Sequence, residues 1–402
     1  MSGQIGGLSF EQAEAALTPW KERAAPIGTE EYQHRLEQAR RLMRERGDEA
    51  LLITAGASLR YFTGISWGAS ERLVAMLLTL EGDPFVLCPA FEEGSLQHAL
   101  KISAITRLWE EHEDPQQQVA DLVAAHRVRR LALDPAATFL IYERLRTVLG
   151  ACELADGSPI VDGCRMQKSA AELALMRQAT AMTLQVHRLA AGLMHEGIGT
   201  GEVRRFIDRA HRALGADGGS TFCIVQFGHA TAYPHGIPGE QQLRPNELVL
   251  IDTGCSVEGY QSDITRTYVF GEPSVVQARI WSLEQAAQRA AFDTVRPGVA
   301  CAEVDAAARR ILEAAGLGPD YRLPGLPHRT GHGCGLSIHE TPYLVRSNET
   351  ALAPGMCCSD EPMIVVPGEF GIRLEDHFHV TEDGAQWFTE PSPAIDMPFA
   401  SA

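Results

Sequence analysis

Apolar residues along this chain recur in two rhythms, and the change from one to the other divides the sequence. Between Tyr32 and Arg46, Leu36, Ala39, Leu42 and Met43 fall at helical spacing and Gly47 follows, which predicts an amphipathic helix with a glycine stop. Short apolar runs at Ala50–Ile53, Leu73–Leu80 and Phe85–Cys88, separated by Gly, Asp and Pro, read as strands. A helical stretch over Gln116–Ala125 leads to a further strand at Leu131–Leu133, closed by Asp134-Pro135. Strands alternating with helices predict an α/β layer domain over residues 1–158, whose first thirty residues form an arm with one short helix.

The periodicity breaks between Ala155 and Cys164, so a second domain is predicted over residues 159–402. Ser169 and Glu172 have the spacing of a capping box, and a long apolar-striped helix follows to about Met194. A repeat then emerges. Gly197-Ile198, Glu202-Val203 and a helix ending at Gly215 are echoed by Gly298-Val299, Glu303-Val304 and a helix ending at Gly316. Between the two copies, Leu248–Ile251 and Ile264–Phe270 flank a Gly-rich polar turn, the pattern of a hairpin. Duplicated helix pairs, each followed by strands, predict two similar α/β halves facing one another.

Composition narrows the function. The formal net charge of −17 argues against nucleic acid or an anionic membrane as partner. No tripartite signal peptide opens the chain and no apolar run is long enough to span a bilayer, so a cytoplasmic protein is expected. The nine cysteines are scattered without CxxC pairs, which suits reduced thiols rather than a disulfide framework.

The candidate chemistry lies in the second domain. Asp252 ends the first hairpin strand and Asp263 begins the second, which would set two carboxylates side by side. Alone these are ordinary turn formers; together they repel unless something positive lies between them. His332 in the flexible, glycine-flanked segment Gly331-His332-Gly333-Cys334-Gly335, Glu361 within the apolar run of residues 356–366, and Glu375 in the stretch GIRLEDHFHV supply further ligand types. Four carboxylates and one imidazole suit two bridged divalent ions, and favour a hard metal such as Mn²⁺ over a thiolate-bound structural zinc. Arg373, two residues before Glu375, would project to the same side of a strand. There it could pair with a substrate carboxylate or with an acid of the ligand shell.

The ordered set Asp252, Asp263 within DITRT, His332 within GHGCG, Glu361-Pro362 and Glu375 within RLED resembles the pita-bread metallopeptidases. These are methionine aminopeptidase, aminopeptidase P and prolidase, with creatinase as a metal-free relative. The likeness runs from about Gly163 to the end, and the upstream part resembles the N-terminal domain of prolidases, aminopeptidases P and creatinases. The whole is most similar to the short bacterial Xaa-Pro dipeptidases. The resemblance implies that Asp252 chelates one ion, that Asp263 and Glu375 bridge two, and that His332 and Glu361 complete the other. Mn²⁺ is the expected ion, with Co²⁺ or Zn²⁺ as alternatives. It further implies a catalytic set in which Glu361 moves a proton, His235 and His339 line the cleft, and Arg373 meets the substrate. The implied activity is hydrolysis of Xaa-Pro dipeptides by a homodimer. The alternatives are an aminopeptidase P acting on longer Xaa-Pro peptides, a creatinase-type or lyase relative, and a non-catalytic binding module.

Overall fold

The computed structural model describes residues 4–400, and the chain divides into two compact units. One comprises Ile27–Arg165. Its six strands are β1 (Ala50–Thr54), β2 (Ala75–Thr79), β3 (Phe85–Pro89), β4 (Ile105–Trp109), β5 (Arg130–Leu133) and β6 (Glu153–Asp156). They form one mixed sheet in the order β4-β3-β2-β1-β5-β6. Leu52, Leu77, Leu87, Leu131 and Leu145 are wholly buried in its core. The sequence pattern misses β4 and β6 because both are edge strands. Edges carry polar residues that discourage further pairing, and here Thr106, Arg107, Glu153 and Asp156 obscure the apolar alternation.

The predicted boundaries need two corrections. The polar break at Ala155–Ser158 is a turn inside the first unit: Gly157 donates to Leu133 O at 2.9 Å, and a Cβ there would lie 2.4 Å from that oxygen. The helix Ser158–Arg165 then packs back on this unit, with Gln38 Nε2 donating to Gly163 O and the Tyr61 hydroxyl to Cys164 O. The arm ending at Pro26 belongs instead with Met166 onward. Gly6 and Leu8 donate to Ala191 O and Gly192 O, Trp20 to Leu214 O, and Phe10 packs edge-on to Phe206. The arm's one helix, Phe10–Ala15, starts on a capping box formed by Ser9 and Gln12.

The second unit contains the duplication. Its first helix pair is Ala170–Gly192 and Thr200–Leu214, the former opened by the Ser169–Glu172 capping box; its second pair is Val275–Thr294 and Cys301–Ala314. The repeat extends to backbone pairing outside the helices. Gly197 donates to Leu243 O and Leu243 to Ile198 O; Gly298 donates to Leu352 O and Leu352 to Val299 O. After the first pair come β7 (Ser220–Phe227), β8 (Glu247–Val257), β9 (Tyr260–Gln261) and β10 (Ile264–Phe270), with antiparallel order β10-β8-β7 and β9 attached to β8. After the second come β11 (Gly331–Gly333), β12 (Glu340–Leu344), β13 (Cys357–Asp360), β14 (Met363–Val366), β15 (Phe370–Arg373), β16 (Asp376–Val380) and β17 (Ala385–Trp387). They form a five-stranded sheet, β12-β11-β13-β16-β17, and a separate β14-β15 ribbon. Leu248, Val269, Trp281, Leu312, Ile364 and Phe378 are buried where the second helix pair meets these strands.

Candidate metal centre

Each predicted ligand stands on a strand or at a break between two. β8 does not stop at Ile251, as the apolar run predicts, but continues to Val257, so Asp252 lies mid-strand opposite Thr265, and Asp263 lies just ahead of β10. The polar run after Ile251 is strand because it is buried, not because it is apolar: Thr253 and Ser256 are both enclosed. On the other side, Pro362 cannot donate to a ladder and interrupts the strand after Asp360, leaving Glu361 between β13 and β14. Leu374-Glu375 is the matching break between β15 and β16. Glu375 donates its N–H to Thr265 O, which couples the two halves of the unit.

The glycines around His332 predict flexibility, and the structure corrects this. His332 is the centre of β11, paired to β12 on one side, with Gly333 opposite Cys358 of β13 on the other. A Cβ on Gly331 would lie 2.0 Å from Ser359 O, and one on Gly333 would lie 2.4 Å from Thr341 O. The motif is glycine-rich because neighbouring backbone presses on both sides of the histidine. His332 Nδ1 donates to Gly333 O at 3.0 Å, which leaves Nε2 facing Glu361 Oε1 at 3.1 Å and Asp263 Oδ2 at 3.8 Å.

A cavity of about 340 Å³ opens on all five predicted ligands together with His235, His339 and Arg373, and Phe222, Ile224 and Ile338 form its apolar wall. A second cavity, of about 470 Å³, is also lined by His235, His339, Glu361 and Arg373, and adds Pro234, Pro327 and Arg329. Ligand-capable atoms within 4.8 Å of one another occur in three groups: Asp263, His332 and His339; His332, Glu361 and Glu375; and Asp263, Glu375 and His377. Asp252 is in none of them, and its Oδ2 is paired with Arg373 Nη2. The Arg373 Nε donates to Thr265 Oγ1 at 3.0 Å, and Thr265 in turn donates to Glu375 Oε2 at 2.6 Å. Its Nη1 makes a long contact of 3.5 Å with Pro234 O.

The electrostatics call for cations. Burial pushes Asp263 and Glu375 well above the ordinary carboxylate range, and their acidic neighbours, Glu375 foremost for the first and Glu361 for the second, push further the same way. Burial also raises Asp252, with Arg373 opposing it. Glu361 is the exception: burial opposes its charge, but His332, His328 and Arg373 together outweigh this and hold it below the usual range. Asp252 Oδ1, Asp263 Oδ1 and Glu375 Oε1 have no hydrogen-bond partner. Buried, unpartnered carboxylate oxygens converging on one cavity are a donor set for hard or borderline divalent ions. His339 is exposed, yet desolvation where it lines the cavity, followed by His332 and Arg329, lowers it to about 4 and keeps its imidazole neutral.

Four participants escape the sequence reading. Arg266 and Asp376 form a wholly buried ion pair at 2.7 Å, and Arg266 Nη1 also donates to Glu375 O at 2.9 Å, clamping the backbone of that residue. Ser359 Oγ donates to Glu361 Oε1 at 3.2 Å. His377 is fully buried. A signal is present: Arg266 follows Asp263 by three residues, and Asp376 and His377 follow Glu375 directly.

Two facing α/β halves with a carboxylate-lined cleft between their sheets, joined to a separate α/β unit, define a pita-bread metal-dependent hydrolase. The chain belongs to metallopeptidase family M24, which matches residues 174–382, and residues 35–167 match the creatinase/prolidase N-terminal domain. The crystal structure of dipeptidase PepE from Mycobacterium ulcerans is 37% identical and superposes with a TM-score of 0.83, over 91% of this chain and 97% of that one. The Xaa-Pro dipeptidase of Lactobacillus helveticus is 32% identical, over 88% of this chain and 96% of its own. The X-Pro aminopeptidase of Thermotoga maritima is 25% identical with a TM-score of 0.79, covering 90% of this chain and 98% of its own. No helix among the described residues is long and apolar enough to cross a membrane.

Proposed function

We propose that this chain hydrolyses the Xaa-Pro bond of dipeptides at a two-ion centre held by Asp252, Asp263, His332, Glu361 and Glu375. The observation that carries this reading is the convergence of those five side chains on one cavity with three of their oxygens unpartnered. Two divalent ions, with Mn²⁺ as our choice, would supply an acidified water and polarise the scissile carbonyl. Glu361 lines both cavities, and its carboxylate would take a proton from the attacking water and deliver it to the prolyl nitrogen as the C–N bond breaks. His339, neutral, can donate a ring N–H to the carbonyl oxygen as that atom gains charge. His235, on the wall of both cavities, orients the substrate. The Xaa side chain would lie against Phe222, Ile224 and Ile338, and the prolyl ring in the cavity of Pro234 and Pro327.

Arg373 has two roles in this reading. Its Nη2 and Nε brace Asp252 and Thr265, while Nη1, with its single long contact, is the edge that meets the substrate carboxylate. That carboxylate adjoins the prolyl ring only in a dipeptide. A second reading, release of the first residue from longer Xaa-Pro peptides, is favoured by the likeness to the Thermotoga maritima aminopeptidase. The complete ligand set disfavours a metal-free creatinase-type reaction. The proposal includes a cytoplasmic homodimer: nine free cysteines suit a reducing compartment, the dimer follows from the family resemblance, and sedimentation would check it. The deciding experiment is chelation and Mn²⁺ re-addition, followed by assay on Xaa-Pro and Xaa-Pro-Yaa. Chelation should abolish turnover and Mn²⁺ restore it on the dipeptide. Full activity without metal, or cleavage of tripeptides with dipeptides left intact, would overturn the reading.

A further inference from the structure

Behind the five ligands lies a histidine that the proposed reaction does not use. His377 stands on β16 opposite Ser359 of β13 and is wholly buried, and neither of its ring nitrogens has a hydrogen-bond partner. Residues two apart in extended chain project to the same side. Accordingly, a ring nitrogen of His377, a carboxylate oxygen of Glu375 and one of Asp263 all lie within 4.8 Å of one another. Asp376, between them, points away into its ion pair with Arg266. The oxygens Asp263 Oδ1 and Glu375 Oε1 are unpartnered as well. A buried imidazole with two unsatisfied nitrogens carries a desolvation penalty that an apolar side chain in the same place would avoid. A cation shared with Asp263 and Glu375 removes that penalty for all three groups at once.

We propose that His377 is a further protein ligand of the centre, completing with Asp263 and Glu375 a nitrogen-and-two-oxygen set for one of the ions. Together with His332 it gives the centre two imidazoles. Imidazole suits Zn²⁺, whereas Mn²⁺ is better served by oxygen donors. The chain's own residues therefore tilt one ion position toward borderline metals, whichever ion the other position prefers.

This inference rests on the two-ion reading, and its test separates the two. The full chain is stripped of metal and titrated separately with Zn²⁺ and Mn²⁺, and X-ray absorption on the zinc-loaded protein counts the imidazoles bound. The same is done for His377→Leu, which keeps the core filled, and for His377→Asn in case the leucine variant does not fold. Wild type should bind two ions with two imidazoles between them. Each variant should bind one of the two zinc ions more weakly, by roughly 10–100-fold, with a smaller change for manganese and one imidazole lost. Equal zinc affinity and an equal imidazole count in variant and wild type would overturn the assignment. So would weaker binding with the imidazole count unchanged, since His377 would then be a positioning residue. A wild-type protein that binds fewer than two ions would instead sink the two-ion reading itself.

Discussion

Thr265 does more for the centre than its size suggests. Its hydroxyl accepts from Arg373 and donates to Glu375, and its carbonyl holds the backbone of Glu375 from the opposite half of the unit. Replacing it with valine keeps the shape and removes both side-chain bonds. Thr265→Val should therefore weaken metal binding by roughly 10–100-fold, measured by competition titration with a chelator. Glu375→Ala should lose at least one ion together with turnover, and unchanged metal stoichiometry would show that Glu375 is not a ligand. For Arg373→Ala, KM for an Xaa-Pro dipeptide at saturating metal should rise by the equivalent of roughly 1.5–3 kcal/mol. An Xaa-Pro amide, which lacks the carboxylate, should lose less, since only the bracing of Asp252 and Thr265 is removed for it; equal losses on both substrates would confine Arg373 to bracing the shell. Residues of this kind divide by how legible they are. The five candidate ligands can be found in the sequence because carboxylates and one histidine sit at motif spacings. Arg266 and His377 lie close to Asp263 and Glu375 along the chain, but neither they nor Ser359 can be given a role there, because their importance depends on what lies across the sheet from them.

At the scale of elements, the candidate ligands owe their positions to interruptions in otherwise regular pairing. β13–β16 and β14–β15 are ladders of the same two chain segments, separated by Glu361-Pro362 and Leu374-Glu375. The Pro announces the first break in the sequence. Nothing announces the second, since Leu374 and Glu375 would sit comfortably in a strand. The extension of β8 past Asp252 is hidden for the opposite reason, because its threonines and serines are buried on paired strands rather than displayed in a turn. Close backbone approach governs the same hairpin: a Cβ on Gly254 would lie 1.8 Å from Ser262 O. Gly254→Ala should force the strands apart, costing roughly 1–3 kcal/mol or more and reducing metal affinity, as read by denaturant unfolding and metal titration. Its effect should exceed that of an alanine at Gly197, where no atom lies within 4 Å, although the positive φ there adds strain of its own.

Across the whole molecule, two buried histidines outside the centre give stability a pH dependence. Burial pushes His187 down to about 3 and His211 down to about 4. An unfolded histidine titrates near 6.5. Between that pH and the folded value the unfolded chain takes up protons that the native fold refuses, so stability falls as the pH drops. Each such histidine contributes a slope of up to ~1.4 kcal/mol per pH unit. His211→Gln should flatten the loss measured by urea unfolding of the metal-free protein between pH 6.5 and 4; an unchanged slope would mean that His211 titrates normally. The division into two units is visible from the sequence, as is the duplicated half. The allegiance of the arm is not, because its partners at Ala191, Gly192 and Leu214 lie far along the chain. That arrangement has a consequence during synthesis. At typical elongation rates the arm leaves the ribosome roughly 10–40 s before the helix it pairs with. Meanwhile the α/β unit of Ile27–Arg165 has all of its own strands and can fold. The nascent protein thus passes through a stage in which a finished domain trails a loose leading segment, and a protease added to chains stalled at that length should trim the segment while sparing the domain.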